Sequence, residues 1–232
     1  MLDPVSYAIW LAVLLAEIVS LVCMIRGKAL AAHFTLVLYL CCCFAADVGA
    51  HSIIKTSGYD SVTYRYFFFY AKSLLIICLY FVLMNLYSHV FSEMGAGKYI
   101  RAGAALILAG TAGISYYMVA SSSNRLVTHF AVELGQNLYF VGVILTYLLW
   151  FAMSKLQENR ARVTQLVLSM GVYVSLSAGS YAVNNLYPNH AGFWKYYFPI
   201  TSMWLPVSWA YTFLRVPAGT RLATAKVLAP AP

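Results

Sequence analysis

The sequence predicts an all-α membrane bundle of seven transmembrane helices, and three observations predict it. Seven apolar segments, each long enough to cross a bilayer, fill nearly the whole chain. Of the 232 residues, 62% are hydrophobic and only 9% charged. A soluble domain carries about 25% charged residues, so a surface this poor in charge needs lipid to cover it. The two-residue alternation of a barrel strand is also absent. In lipid, the helix is then the structure that satisfies every backbone N–H and C=O internally.

The spans run in order over 4–25, 30–50, 64–90, 99–119, 129–153, 163–183 and 196–215. The first follows a short lead that contains Asp3 and no basic n-region, so no cleavable signal peptide is expected and this span stays. It carries Glu17, and the second carries Cys41, Cys42, Cys43 and Asp47. The third opens on an aromatic run from Tyr64 to Tyr70 and then places Lys72 inside the membrane. Gly103, Ala104, Gly110, Ala112 and Gly113 make the fourth suited to close packing. In the fifth, His129, Glu133, Gln136 and Asn137 fall at i, i+4, i+7 and i+8 and form one stripe. Ser177, Tyr181 and Asn184 stripe the sixth. Pro199 and Pro206 lie within the seventh, where each frees a carbonyl and permits a kink. The reading is one bundle over 1–215 and a short cytoplasmic tail, 216–232, that ends in Ala-Pro-Ala-Pro and is expected to be unstructured.

Lysine and arginine set the expected orientation. Arg26, Lys28, Lys98, Arg101, Lys155, Arg160, Arg162, Arg215, Arg221 and Lys226 gather on one side, and Lys55, Arg65, Arg125 and Lys195 on the other. Ten against four puts the first side in the cytoplasm, with the N-terminus outside and the C-terminus inside. The same placement argues against nucleic acid as the partner of the +8 net charge, because the basic residues sit at helix ends facing lipid headgroups. The bilayer is the expected partner. The five cysteines lie in apolar segments without a C-x-x-C pair and read as small buried residues. No metal site and no cofactor is expected. The haem test turns on His33 and His51, which are 18 residues apart. That spacing is ~27 Å along a helix, and it places both at membrane edges where interfacial solvation accounts for them.

An internal repeat is legible. Spans one to three and five to seven run in the same sense, with the fourth as linker. A shift of about 130 residues lays Tyr64-Arg65-Tyr66-Phe67-Phe68 on Trp194-Lys195-Tyr196-Tyr197-Phe198, Asp47 on Ser177 and His51 on Tyr181. Parallel repeats of this kind (three plus one plus three) occur in transporters, with the binding site between the halves.

Ionisable groups within a span are costly and mark candidate sites. Asp47 and His51 are one turn apart on the second span, and Arg65 and Lys72 two turns apart on the third. Together with Glu133, Gln136 and Asn137 they are expected to face inward, so that the two cations neutralise the two carboxylates. Tyr66, Tyr70 and Tyr181 complete the expected outer-half cavity. Glu17 stands apart, with Asn85 as a candidate polar partner and proton coupling as a candidate role.

Enzyme motifs are missing: there is no H-E-x-x-H, no G-x-S-x-G and no P-loop. The last span has none of the histidines of the seven-helix zinc hydrolases related to alkaline ceramidase. Ile200 to Tyr211 contain no lysine of the microbial-rhodopsin kind, and no Pro-Gln pair of the three-plus-one-plus-three sugar transporters is present. Tyr7-Ala8-Ile9-Trp10, the aromatic third span and Asn184-Asn185 resemble the uncharacterised seven-span inner-membrane proteins of bacteria, a resemblance that covers most of the chain. It implies a bacterial inner membrane and no particular activity. The sequence therefore leads to a non-enzymatic bundle that binds or transports a small ligand. The alternative is a non-catalytic subunit or sensor input that works with a membrane-protein partner or a second copy.

Overall fold

The structure, a computed structural model, describes residues 4–27, 29–58, 61–91, 97–120, 126–155, 160–186, 191–217 and 220. They form seven α-helices: α1 (Pro4–Arg26), α2 (Phe34–Ser57), α3 (Val62–Val90), α4 (Gly97–Ala120), α5 (Leu126–Lys155), α6 (Ala161–Leu186) and α7 (Ala191–Arg215). No strand occurs among the described residues. Six of the helices, α1 to α6, contain stretches long and apolar enough to cross a membrane, which fits a multi-pass membrane protein. α7 is 25 residues long and carries Pro199 and Pro206 within it. Tyr59, Asp60, Asn124, Arg125, residues 187–190 and the residues from Arg221 on lie outside the described residues, as do the side chains of Lys98, Arg101, His129, Asn184, Asn185, Trp194 and Lys195.

The helices outrun the expected spans at most ends, because a helix continues past the bilayer edge until the sequence stops it. α2 is the clear case. It begins at Phe34, not at residue 30, because Ala29 to His33 form a turn closed by a bond from the His33 N–H to the Ala29 carbonyl (2.9 Å). It ends only at Gly58, whose φ of 86° is a conformation open mainly to glycine. Three residues later Ser61 caps α3, its Oγ accepting from the Tyr64 N–H at 3.1 Å.

Packing makes a ring. α1 packs on α2, α2 on α3, α3 on α5, α5 on α6, α6 on α7, and α7 closes against α1 over the most extensive contact in the molecule. α4 stands outside the ring against α5 and, more lightly, α3, while α3 also reaches across to α6. Apolar packing is uneven along the helix axes. The most deeply buried side chains are Met24 of α1, Leu36 and Leu40 of α2, Val82, Leu83 and Leu86 of α3, Leu149 of α5, Leu166, Val167 and Met170 of α6, and Leu205 and Trp209 of α7. All come from the helix halves nearest the end where the basic residues gather. Lipid tails are as apolar as leucine, so this tightness reflects van der Waals contact more than exclusion from water.

Polar bonds reinforce the packing. Trp209 Nε1 donates to Ser169 Oγ (3.1 Å) and Trp204 Nε1 to the Ser169 carbonyl (3.0 Å), fastening α7 to α6. Tyr80 Oη donates to the Ala104 carbonyl at 2.8 Å, and Tyr87 Oη to the Leu145 carbonyl. These bonds tie α3 to α4 and to α5. Asn137 Nδ2 donates to Ser115 Oγ at 3.0 Å, joining α5 to α4.

Candidate functional site

In the other half of the ring the core turns polar. Lys72, two and a half turns into α3, projects toward α7 and lies between two aromatic rings. Its Nζ is 5.5 Å from the centre of Phe68 and 5.4 Å from that of Phe198. Cation–π attraction of this kind holds an ammonium where water is scarce. Beside it is a recess with an empty volume of ≈ 270 Å³, including the space at its mouth. Its walls are Lys72 of α3, Tyr139 of α5, Tyr173, Ser177 and Tyr181 of α6, and Phe198, Thr201 and Ser202 of α7.

The tyrosines of this wall form a connected set. The Tyr139 and Tyr173 hydroxyls are 3.4 Å apart, and the Tyr139 ring lies 5.6 Å from that of Tyr181. Tyr181 in turn packs against Phe198 at 6.2 Å. Four-residue spacing explains the α6 contribution, since Tyr173, Ser177 and Tyr181 are each about one turn apart and share a face. On α7, Ser202 Oγ donates to the Pro199 carbonyl at 2.7 Å. Pro206 has no N–H to offer the Ser202 carbonyl four residues earlier, which leaves an acceptor next to the recess.

Behind Lys72 lie the acids. Asp47 of α2 is close enough to interact electrostatically with Lys72, and Glu17 of α1 with Asp47. Cys43, one turn before Asp47, lies within reach of Glu17, Asp47, Lys72 and Tyr39. Glu17 is 3% exposed, and its Oε2 has no hydrogen-bond partner. A buried carboxyl oxygen left unsatisfied is costly unless the group is neutral or meets a ligand.

Of the residues expected from the sequence, Asp47, Lys72 and Tyr181 converge here, and Glu17 joins them through Asp47 and Cys43, not Asn85. The others go elsewhere. His51 stacks on Trp10 (4.2 Å, 16°) at the far ends of α1 and α2, with its Nδ1 buried and unpartnered. Asn137 turns to α4. Glu133 and Gln136 are half-buried on α5 outside the recess walls. Arg65, Tyr66 and Tyr70 are exposed, with Tyr66 and Tyr70 stacked on each other at 6.5 Å. The reason is helix geometry: Tyr70 precedes Lys72 by two residues, about 200° around the helix, so if one faces the ring the other faces out. Tyr139 and Tyr173 were missed. Extending the α6 stripe back one turn from Ser177 reaches Tyr173, but nothing in the sequence separates Tyr139 from the interfacial tyrosines.

A second polar cluster closes the basic end. His33 stacks on His89 (5.3 Å, 24°) and meets the edge of Phe213 at 5.6 Å. The Arg162 guanidinium sits 5.1 Å over Phe213 and donates from Nε (3.1 Å) and Nη2 (2.6 Å) to the Val216 carbonyl. Arg160 Nη2 donates to the His89 carbonyl at 2.9 Å, and His89 Nδ1 to the Asn85 carbonyl at 3.0 Å. The Ala161 N–H donates to the Thr220 carbonyl, which ties down the chain after α7. In the turn before α2, burial, with His89 and Arg162 nearby, pulls the His33 imidazole down to about 4. The ring is therefore neutral at physiological pH.

Compared with known protein families, with curated proteins and with solved structures, the chain has no significant match to any. The reading of the site rests on its own residues.

Proposed function

We propose that this chain is a non-enzymatic membrane bundle that binds a small polar ligand in the recess beside Lys72 and carries it between the two sides of a bacterial inner membrane. The observation that carries the reading is convergence. Helices α1, α2, α3, α5, α6 and α7 each bring a polar or titratable side chain to the region of one lysine inside the hydrocarbon layer, where such groups are otherwise excluded. α7 crosses the membrane as the seventh span. Its outward residues Ile200, Val207 and Leu214 suit lipid, and its inward face completes the recess. The charge asymmetry supports an N-terminus outside and a C-terminus in the cytoplasm.

A parallel repeat supports transport over simple binding. A shift of 130 residues pairs Phe68 with Phe198, the two rings on either side of Lys72. The same shift pairs Lys72 with Ser202, Asp47 with Ser177 and Cys43 with Tyr173, all at or next to the recess. Exchanging α1, α2, α3 with α5, α6, α7 also maps the contact of α1 with α7 onto that of α5 with α3, and α2 with α3 onto α6 with α7. A site between two related triplets is the arrangement that alternating access uses.

A second reading is a non-catalytic subunit, favoured by α4. Leu106, Tyr116 and Tyr117 are exposed on it, and space is open at Gly110 and Gly113. Native mass spectrometry of protein extracted gently from its own membrane tests the two. A small extra mass on the wild type that Lys72→Met loses supports the ligand site. A stoichiometric second polypeptide, with no small mass in either protein, supports the subunit.

A further inference from the structure

The chemistry of the recess narrows the ligand. Its walls hold one ammonium and a set of hydroxyls, among them Tyr173, Ser177, Tyr181 and Ser202, and no carboxylate among the described residues. An ammonium only donates hydrogen bonds, and a hydroxyl can turn to donate to a ligand when it gives up its present bond, as Ser202 would give up that to the Pro199 carbonyl. Such a lining is complementary to negative charge. The room inside it for the centre of a water-sized particle is ≈ 20 Å³, about what a single such particle needs. It suits one small ion.

The counter-charge of Lys72 decides what else must move. The groups facing Asp47 are Glu17 and Trp10 from α1, Cys43 and His51 on its own helix, and Lys72 from α3. Trp10 Nε1 donates to the Asp47 backbone carbonyl at 3.3 Å. One ammonium can balance one carboxylate. A net charge in this interior is costly, so the two carboxyls of Asp47 and Glu17 hold one proton between them while the recess is empty. An anion that settles on Lys72 takes over the balancing role and leaves the remaining carboxylate without a counter-charge.

We propose that the recess is a site for one small monovalent inorganic anion of halide size, and that the anion binds together with one proton, which the Asp47–Glu17 pair takes up. The charges balance in both states. Empty, the site holds an ammonium, one carboxylate and one carboxylic acid; occupied, it holds an ammonium, the anion and two carboxylic acids. No covalent bond forms or breaks. The inference rests on the reading of the recess as a ligand site.

The test is a chloride titration of the purified protein in detergent at low buffer strength, with gluconate holding the ionic strength constant. Calorimetry reads binding and an indicator dye reads protons. The expected result is saturable chloride binding with uptake of one proton per chloride. Affinity should weaken about tenfold per pH unit where that proton is lost from the empty state. Lys72→Met abolishes both signals. Asp47→Asn leaves Glu17 as the one carboxyl to take the proton, so it keeps both chloride binding and the uptake of one proton. Should Lys72→Met not fold, Ser202→Ala and Tyr181→Phe are each expected to weaken chloride several-fold in a protein that keeps its thermal midpoint. Binding without proton uptake by the wild type overturns the proposal, as does undiminished chloride binding by folded Lys72→Met. No response to chloride or bromide, alongside an organic mass that wild type carries and Lys72→Met loses, overturns the anion and leaves the ligand site standing. No response and no bound mass of any kind overturns both.

Discussion

The two ends of the helix ring hold their polar groups differently. At the basic end, Arg160, Arg162 and His89 each have a named carbonyl, and the largest fully buried apolar side chains pack directly above them. Around Lys72 the packing loosens into a recess, a carboxyl oxygen of Glu17 is unsatisfied, and the ammonium leans on two aromatic rings. The first arrangement is that of a fastening, dense and tied by bonds to carbonyls, although His33 Nδ1, Thr35 Oγ1 and Gln165 Oε1 at that end are buried without a partner. The second is looser and leaves space beside an ammonium, as a binding site must before its ligand arrives. Substitutions at the basic end should therefore change stability and leave binding alone. Substitutions around Lys72 should do the reverse.

The largest break in that contrast is expected at Trp209. It is 1% exposed, bonds Ser169 and meets Tyr39 edge-on at 5.8 Å. Trp209→Ala should cost ~3–5 kcal/mol, read as a fall in the thermal midpoint of detergent-solubilised protein. Lys72→Met should lower that midpoint much less, because the carboxyl it balanced can take up a proton. Equal falls in the two variants would erase the distinction between fastening and site.

Arg162 comes next. Arg162→Ala removes two charge-assisted bonds to the Val216 carbonyl and the contact over Phe213. The loss should be about 1.5–3 kcal/mol, accompanied by faster proteolysis of the chain after α7. Arg162→Lys should recover only part of it, because an ammonium cannot reproduce the fork or its stacking on Phe213. Full recovery would mean that only charge matters at this end.

The smallest effect is one of pH. His33 is held neutral with its imidazole lowered to about 4 from an ordinary 6.5. Protonation thus favours the unfolded chain. The stabilisation from a neutral His33 is complete above pH 6.5 and declines as the pH falls toward 4. Between pH 6.5 and pH 5.5 the decline is on the order of 1 kcal/mol. His33→Gln should flatten that part of the stability profile. An unchanged slope would assign the acid sensitivity to other groups.

Much of this was legible in the sequence, for reasons that also explain the rest. The helices and their order follow from apolar length, which is a strong signal in a bilayer. Their ends follow from local chemistry that hydropathy ignores, such as the turn at Ala29–His33 and Gly58 at the end of α2. Asp47, Lys72 and Glu17 stood out because charges inside a span are rare. Which way a tyrosine points depends on how the helix is rotated in the ring. For that reason Tyr66 and Tyr70 looked as eligible as Tyr181, and Tyr139 passed unnoticed. Gly49 illustrates the same dependence. A Cβ there would lie 2.7 Å from the Phe67 ring, a close approach of α2 and α3 that no pattern in either segment announces.

The central claim is that water and solutes reach the recess beside Lys72 while the packing below it stays closed. Single cysteines placed along α3 and α7, in a protein whose five native thiols have been replaced by alanine or serine, test it most directly. In sealed vesicles of known orientation, Ser202→Cys and Phe198→Cys should react with a membrane-impermeant thiol reagent, and Leu205→Cys, which is fully buried, should not. Reaction at Leu205→Cys as fast as at Ser202→Cys, or at none of the three, would contradict the account.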